Sequence, residues 1–342
     1  MRLSRHWLCA ALLGATALAA PARAADLTVT AFGGIWEQAF RDCYVAEFEK
    51  RTGKTVNVLL GNPVQWVNQI AANPEHPPID VIVNSMESGY DAIRRGLVDP
   101  MNTTNTPMLA QINPAFVKDG RGYGTLLNYG AMGLAYNTDT VKHRPASWKE
   151  FVEGTVRGDW KAALPNITFA GVPTTEIWLF ATIYGGDVDH IDEGLKQIRR
   201  MKDSGNLVFY NDVNEFLGLL KSGEVDIGQY YDGRTWSFHD EGNPNISYYN
   251  PAPGAVINPT MLQKVKNGSD LGWQLIDVML SPGPQSCWGN KMQYGMSNLN
   301  VKFNDKVAPR VPKLTDILEA PYDQIPERTS AWVDKWNREV AR

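Results

Sequence analysis

Between Tyr230 and Trp236 the chain reads Tyr230-Tyr-Asp-Gly-Arg-Thr-Trp236, which sets a carboxylate, Asp232, two positions from a guanidinium, Arg234, among three aromatic rings. Opposite charges at the mouth of one cleft bind the two ends of a zwitterion. The planar fork of an arginine takes a carboxylate in parallel hydrogen bonds, and a carboxylate takes an ammonium. Aromatic faces beside them attract the same ammonium. The alternative is internal: residues two apart in a turn pair with each other or with a helix terminus. The residue types leave both readings open.

Other chemistries are poorly represented. The five histidines, His6, His76, His143, His190 and His239, show neither HxxxH nor HxH spacing, which argues against a zinc site. There is no Gly-x-Ser-x-Gly elbow, no glycine-rich phosphate loop and no CxxC pair, so no cofactor, no resident metal and no enzyme activity is expected. An exported hydrolase stays as the rival, because fold does not fix function. Gly33-Gly34 opens a helical stretch, where a tight turn and an anion-binding helix start are both available readings.

Residues 1–24 have the form of a secretory leader: basic Arg2 and Arg5, an apolar run from Trp7 to Ala20, and the small-residue signal Ala22-Arg23-Ala24. Cleavage after Ala24 leaves 318 of the 342 residues in the periplasm and takes the net charge from −4 to −7 by removing three arginines. That balance excludes nucleic acid and anionic membrane surfaces as expected partners. Cys9 departs with the leader. Cys43 and Cys287 then share an oxidising compartment, where a bridge would stabilise by about 2–4 kcal/mol; two buried free thiols are the alternative.

A mature chain of this length exceeds what one core supports, so two lobes are expected. Strands are read at 26–31, 56–60 and 79–83, alternating with helices at 35–50, 65–72 and 90–96, the signature of a doubly wound α/β lobe. The second half repeats the style, with strands at 133–136, 167–170 and 225–228 and helices from 148, at 176–183, 191–203, 271–280 and 329–340. Ligands of open α/β sheets sit beyond the carboxyl ends of strands, which singles out Phe32-Gly33, Asn84-Ser85 and Tyr230-Tyr231-Asp232.

Taken in order, Asp80-Val-Ile-Val-Asn-Ser85, Tyr129-Gly-Ala-Met-Gly-Leu-Ala-Tyr-Asn137, Ser147-Trp148, Ser222-Gly-Glu-Val-Asp-Ile-Gly228 and Gln293-Tyr-Gly-Met-Ser-Asn298 resemble the solute-binding proteins of ABC importers, in particular the spermidine/putrescine-binding branch. The resemblance spans nearly the whole mature chain. It implies a two-lobed periplasmic binding protein of type II, an α/β fold with an interlobe ligand cleft and crossover hinge strands near 132–136 and 256–259. The implied lobes are 25–135 with 259–308, and 136–258 with 309–342. It also implies a monomer that delivers an amine-bearing small molecule to the membrane subunits of a permease.

Carried over residue by residue, the resemblance implies cleft roles for Trp36, Ser85, Tyr129, Tyr231 and Tyr294, and an amine-binding role for Glu176. The family's second amine-binding aspartate should fall in Val256-Ile-Asn-Pro-Thr260, which holds no acid. That departure puts a diamine held at both ends in question, so the expected ligand is a polyamine or an ω-amino acid of the γ-aminobutyrate type, the latter with its acid on Arg234 and its ammonium on Glu176 or Asp232. Tyr230-Tyr231 also resembles the paired tyrosines of ferric-iron-binding relatives, although the first strand offers no histidine to complete such a site.

Overall fold

A computed structural model describes residues 25–167, 169 and 173–341. The expected leader and its cleavage point lie outside the described residues.

Eleven strands are hydrogen-bonded into one curled sheet: β1 Leu27–Ala31, β2 Val56–Leu60, β3 Val81–Ser85, β4 Thr125–Asn137, β5 Ala162–Pro165, β6 Leu207–Tyr210, β7 Ile227–Tyr231, β8 Ile246–Tyr249, β9 Ala255–Lys264, β10 Gly295–Met296 and β11 Ile317–Leu318. Their order is β2-β1-β3-β9-β4-β7-β5-β6, with β8 and β10 also on β4 and β11 on β9. The outer strands of each half run parallel, β1 with β2 and β3 on one side, β5 with β6 and β7 on the other. Such strands are covered by helices on both faces and read as continuous apolar runs. Val29, Val81 and Val83 are accordingly buried.

Two long antiparallel strands join the halves. β4 pairs with β9 from Thr125 to Met132, then with β7 from Met132 to Tyr136. β9 pairs with β3 from Thr260 to Lys264, and with β11 at Ala255 and Val256. The sheet therefore divides into two α/β lobes threaded by the same pair of strands, and the carboxyl ends of β1, β3 and β7 point at the gap between them.

The sequence-based elements mostly form, with shifted edges. The strand expected at 167–170 is a correction: Ile167 lies in a turn and Phe169 in a bend, while the strand is β5, just upstream. The β-branched and aromatic residues of 167–170 outweigh Ala162-Ala-Leu-Pro165 by propensity, but burial between β6 and β7 decides the pairing. β4 runs well beyond the expected 133–136 because its glycines sit at close approaches rather than breaks. A Cβ on Gly130 would stand 2.8 Å from the Asp232 Oδ1, and one on Gly133 would stand 2.6 Å from the Tyr248 hydroxyl. β3 and β7 each end later than expected, at Ser85 and Tyr231.

After β1 the chain winds from Ile35 to Thr52 as helix with a π turn at Arg41–Val45, closing on Gly53 in the left-handed region at φ 68°. That π turn carries Cys43, which is bonded to Cys287 of the helix Pro282–Met292 with Cα atoms 5.6 Å apart. The bridge pins the first helix to one of the last, and Trp36 and Tyr44 pack on Trp288 at ring separations of 4.4 and 5.2 Å.

Candidate functional site

Three strand-to-helix junctions build the wall of one cavity of about 550 Å³ between the lobes. At the first, β1 leads through Phe32-Gly33-Gly34 into Trp36, whose ring meets Phe32 edge-on at 5.2 Å. At the second, β3 ends in Ser85, which caps the helix Met86–Arg94 by accepting the Ser88 N–H at 3.4 Å. The short serine side chain holds the first helical turn against the strand end, and this places Glu87 on the cavity wall. At the third, β7 ends in Tyr231 and the helix Asp232–Asp240 begins, with Arg234 on its first turn. Tyr231, Arg234 and Tyr294 line the cavity from that side.

Neutral polar groups form the floor. Ser85 on β3, Thr260 on β9 and Asn128 on β4 stand side by side across three strands and all face the cavity. Asn84 and Asn128 are buried, and each leaves its side-chain oxygen without a hydrogen-bond partner. A buried polar atom without a partner costs about 1–3 kcal/mol, so the floor favours a ligand that supplies donors.

The electrostatics are set by two charges. Glu87 is half-buried, and burial pushes its carboxyl up to about 6 against the opposing pull of its own backbone N–H and the Ser85 hydroxyl. No cation among the described residues pairs with it. Arg234 is also half-buried and forms no ion pair or hydrogen bond among the described residues. Tyr231 lies within electrostatic reach of Tyr294, Arg234 and Glu87 at once, which places the two opposite charges around one ring. Burial also raises the Tyr294 hydroxyl to about 12, so both cleft tyrosines stay neutral hydrogen-bonding groups at ordinary pH.

Of the residues expected at the site, Trp36, Ser85, Tyr231, Arg234 and Tyr294 are brought together on the cavity, whereas Tyr129, Glu176 and Asp232 are not. Asp232 is fully buried behind the wall, where its Oδ1 accepts the Gly233 N–H at 2.6 Å. Burial lifts it to about 7, with backbone hydrogen bonds from Gly233 and Ala131 opposing. It makes no ion pair with Arg234; of the two internal pairings considered for the turn, the one with a helix terminus is found, since Asp232 holds the Gly233 N–H on the first turn of its own helix. Glu176, on the helix Pro173–Ile183, is fully buried with no partner for either carboxyl oxygen among the described residues, and burial raises its carboxyl well above the ordinary carboxylate range. Tyr129 donates its hydroxyl to the Pro312 carbonyl at 3.3 Å and packs on Phe116, a structural placement.

Glu87 went unrecognised in the sequence because the strand was ended at 83 and the helix begun at 90, leaving 84–89 as loop. The signal was present in Ser85-x-x-Ser88, a cap spacing that starts a helix and puts Glu87 on its first turn. No histidine lines the cavity, and among the described residues no three His, Cys, Asp or Glu side chains gather into a metal site. No helix among them is long and apolar enough to cross a membrane.

Comparison with known proteins agrees with this architecture. Residues 76–326 match the family described as bacterial extracellular solute-binding protein. A relative from Salmonella typhimurium carrying the provisional name 2-aminoethylphosphonate-binding periplasmic protein is 22% identical, over 99% of this chain and 98% of its own. Among solved structures, a provisionally named extracellular solute-binding protein from Bordetella parapertussis superposes with a TM-score of 0.83 at 28% identity, covering 92% of this chain and 98% of that one. A GABA receptor superposes with a TM-score of 0.76 at 18% identity, covering 91% and 96%.

Proposed function

The chain belongs to the bacterial extracellular solute-binding protein family, and from that premise we propose that it captures a small zwitterion, an ω-amino acid or an aminoalkylphosphonate, in its interlobe cleft for delivery to an ABC permease. The observation that carries this reading is the pairing of Glu87 from one lobe with Arg234 from the other around a single cavity, both without an ionic partner. Glu87 takes the ammonium and Arg234 forks onto the acid. Trp36, Tyr231 and Tyr294 wall the chain between them. Closure expels water, which strengthens both charge contacts.

This assignment moves the ammonium from Asp232 and Glu176 to Glu87, since a ligand in the cleft does not reach a carboxyl buried behind its wall. It also disfavours a polyamine, whose second ammonium would face Arg234. The names of two relatives fit the zwitterion: 2-aminoethylphosphonate and GABA each join an amine to an acid through a short chain. Export rests on the leader at 1–24, and the periplasmic relatives support it. We place the lobes at 25–135 with 259–308 and at 136–258 with 309–342, with hinges where β4 and β9 change partners. The protein acts as a monomer, and membership in a solute-binding family supports binding without turnover.

A thermal-shift series with γ-aminobutyrate, 2-aminoethylphosphonate and putrescine tests the reading, because a ligand that binds only the folded state raises its melting temperature by mass action. A rise of several degrees with either zwitterion and none with putrescine is expected. A rise with putrescine alone overturns it.

A further inference from the structure

The charged anchors line the cavity from the ends of β3 and β7, and the C-terminal helix Ile325–Glu339 forms a further part of its wall. This helix carries one broad apolar stripe. Trp332 and Trp336 are buried, the latter meeting Phe209 of β6 at 5.3 Å, and they fasten the helix to its lobe. Ile325, also buried, and the half-buried Thr329 and Val333, spaced at i, i+4 and i+8, continue the same stripe to its edge and line the ligand cavity. A surface helix ordinarily has one apolar stripe, and it faces the core. Here the edge of that stripe, at Thr329 and Val333, runs past the core and stays half-exposed toward the cleft.

From the opposite lobe, Val64 on the first turn of the helix Pro63–Ala72 lines the same cavity while remaining 63% exposed. The cavity, at about 550 Å³, also falls within the roughly 300–1,000 Å³ that holds drug-sized molecules. A straight four-carbon amino acid held by the polar floor, the two charges and the aromatic rings between them fills a small part of that space.

Resting on the zwitterion reading above, we propose that the ligand carries an alkyl or aryl substituent on the chain between its charged ends, and that Val64 with the Ile325, Thr329 and Val333 stripe forms the subsite for it. The charges fix the ends of the molecule, and the stripe selects among zwitterions by the apolar area they bury.

Isothermal titration of the mature protein with γ-aminobutyrate, its 3-isobutyl derivative and its 3-phenyl derivative tests this. The substituted compounds are expected to bind at least tenfold more tightly. Val333→Asn, a change at a half-buried position whose fold is checked by its melting curve, is expected to bring the affinity ratio of substituted to unsubstituted ligand close to one. Tight binding of γ-aminobutyrate with equal or weaker binding of the derivatives overturns the subsite and shows the two apolar lips closing on each other. A tenfold ratio that survives Val333→Asn overturns its location. Binding of none of the three compounds fails the zwitterion reading itself, and this proposal with it.

Discussion

Glu87 and Arg234 stand at corresponding places in the two lobes, each on the first helical turn after a central strand, β3 for the one and β7 for the other, and they line the same cavity with opposite charge. Neither has an ionic partner among the described residues. Leaving two complementary charges half-buried and apart costs desolvation that an internal ion pair would offset, so the arrangement favours a partner that brings both counter-charges.

Replacing Arg234 with alanine is expected to weaken γ-aminobutyrate binding by roughly 10- to 150-fold, corresponding to about 1.5–3 kcal/mol for a hydrogen bond to a charged group. Arg234→Lys is expected to recover part of the loss, since a point charge replaces the fork. Titration calorimetry reads both. Affinity within twofold of the unaltered protein in the alanine variant removes Arg234 from the site.

Binding should depend on pH through Glu87. Its carboxyl is raised to about 6, so the charged form that meets an ammonium is lost as pH falls through that value. Affinity for γ-aminobutyrate, whose own carboxyl titrates lower, is expected to hold between pH 7 and 8 and to drop about tenfold per pH unit well below 6. Glu87→Gln should bind weakly at pH 8 and show a flat profile between pH 5 and 7. A profile of the unaltered protein that is itself flat down to pH 5 would contradict the role.

Asp232 governs stability rather than affinity. A carboxyl raised to about 7 holds its proton longer in the native chain than in the unfolded one. Its stabilising contribution is complete below the ordinary carboxylate range and is lost as pH rises through about 7. Asp232→Asn keeps an oxygen for the Gly233 N–H and removes the buried charge. The variant is expected to be more stable than the unaltered protein at pH 8 by about 1–3 kcal/mol, with the difference vanishing near pH 4. Denaturant unfolding at the two pH values measures it, and a destabilised variant at pH 8 refutes it.

The Cys43–Cys287 bridge spans 244 residues of sequence. Its reduction should cost about 2–5 kcal/mol of stability. Denaturant unfolding with and without reductant gives the difference, and mass spectrometry of unreduced peptides should find the two cysteines linked. Two alkylatable thiols in the unreduced, unfolded protein would refute the pairing.

Much of the lobe architecture was legible from periodicity. The strand Leu27–Ala31, the helix after it with Trp36, Phe40, Tyr44 and Phe48 on its buried side, and the Asp192–Asp203 helix follow from local pattern and burial together. β5 was not, because its two alanines carry little propensity and its place between β6 and β7 is fixed by partners distant in sequence. At the site, Ser85, Tyr231 and Arg234 fell at strand ends and reached the cleft. Tyr129 and Asp232 lay in the right segments with side chains directed into packing.

The amino-acid order by itself determined that the chain alternates strand and helix, that it resembles exported solute binders, and that an aromatic, acid and base cluster follows one strand. Those properties come from hydrophobic period, turn residues and motif order, which are local in sequence. Only the tertiary structure decided which acid lines the cavity. A two-residue shift at the end of β3 and the packing of Asp232 behind Gly130 exchange one carboxylate for another. The face a side chain shows depends on the register of strands more than a hundred residues apart, and no local pattern encodes that register.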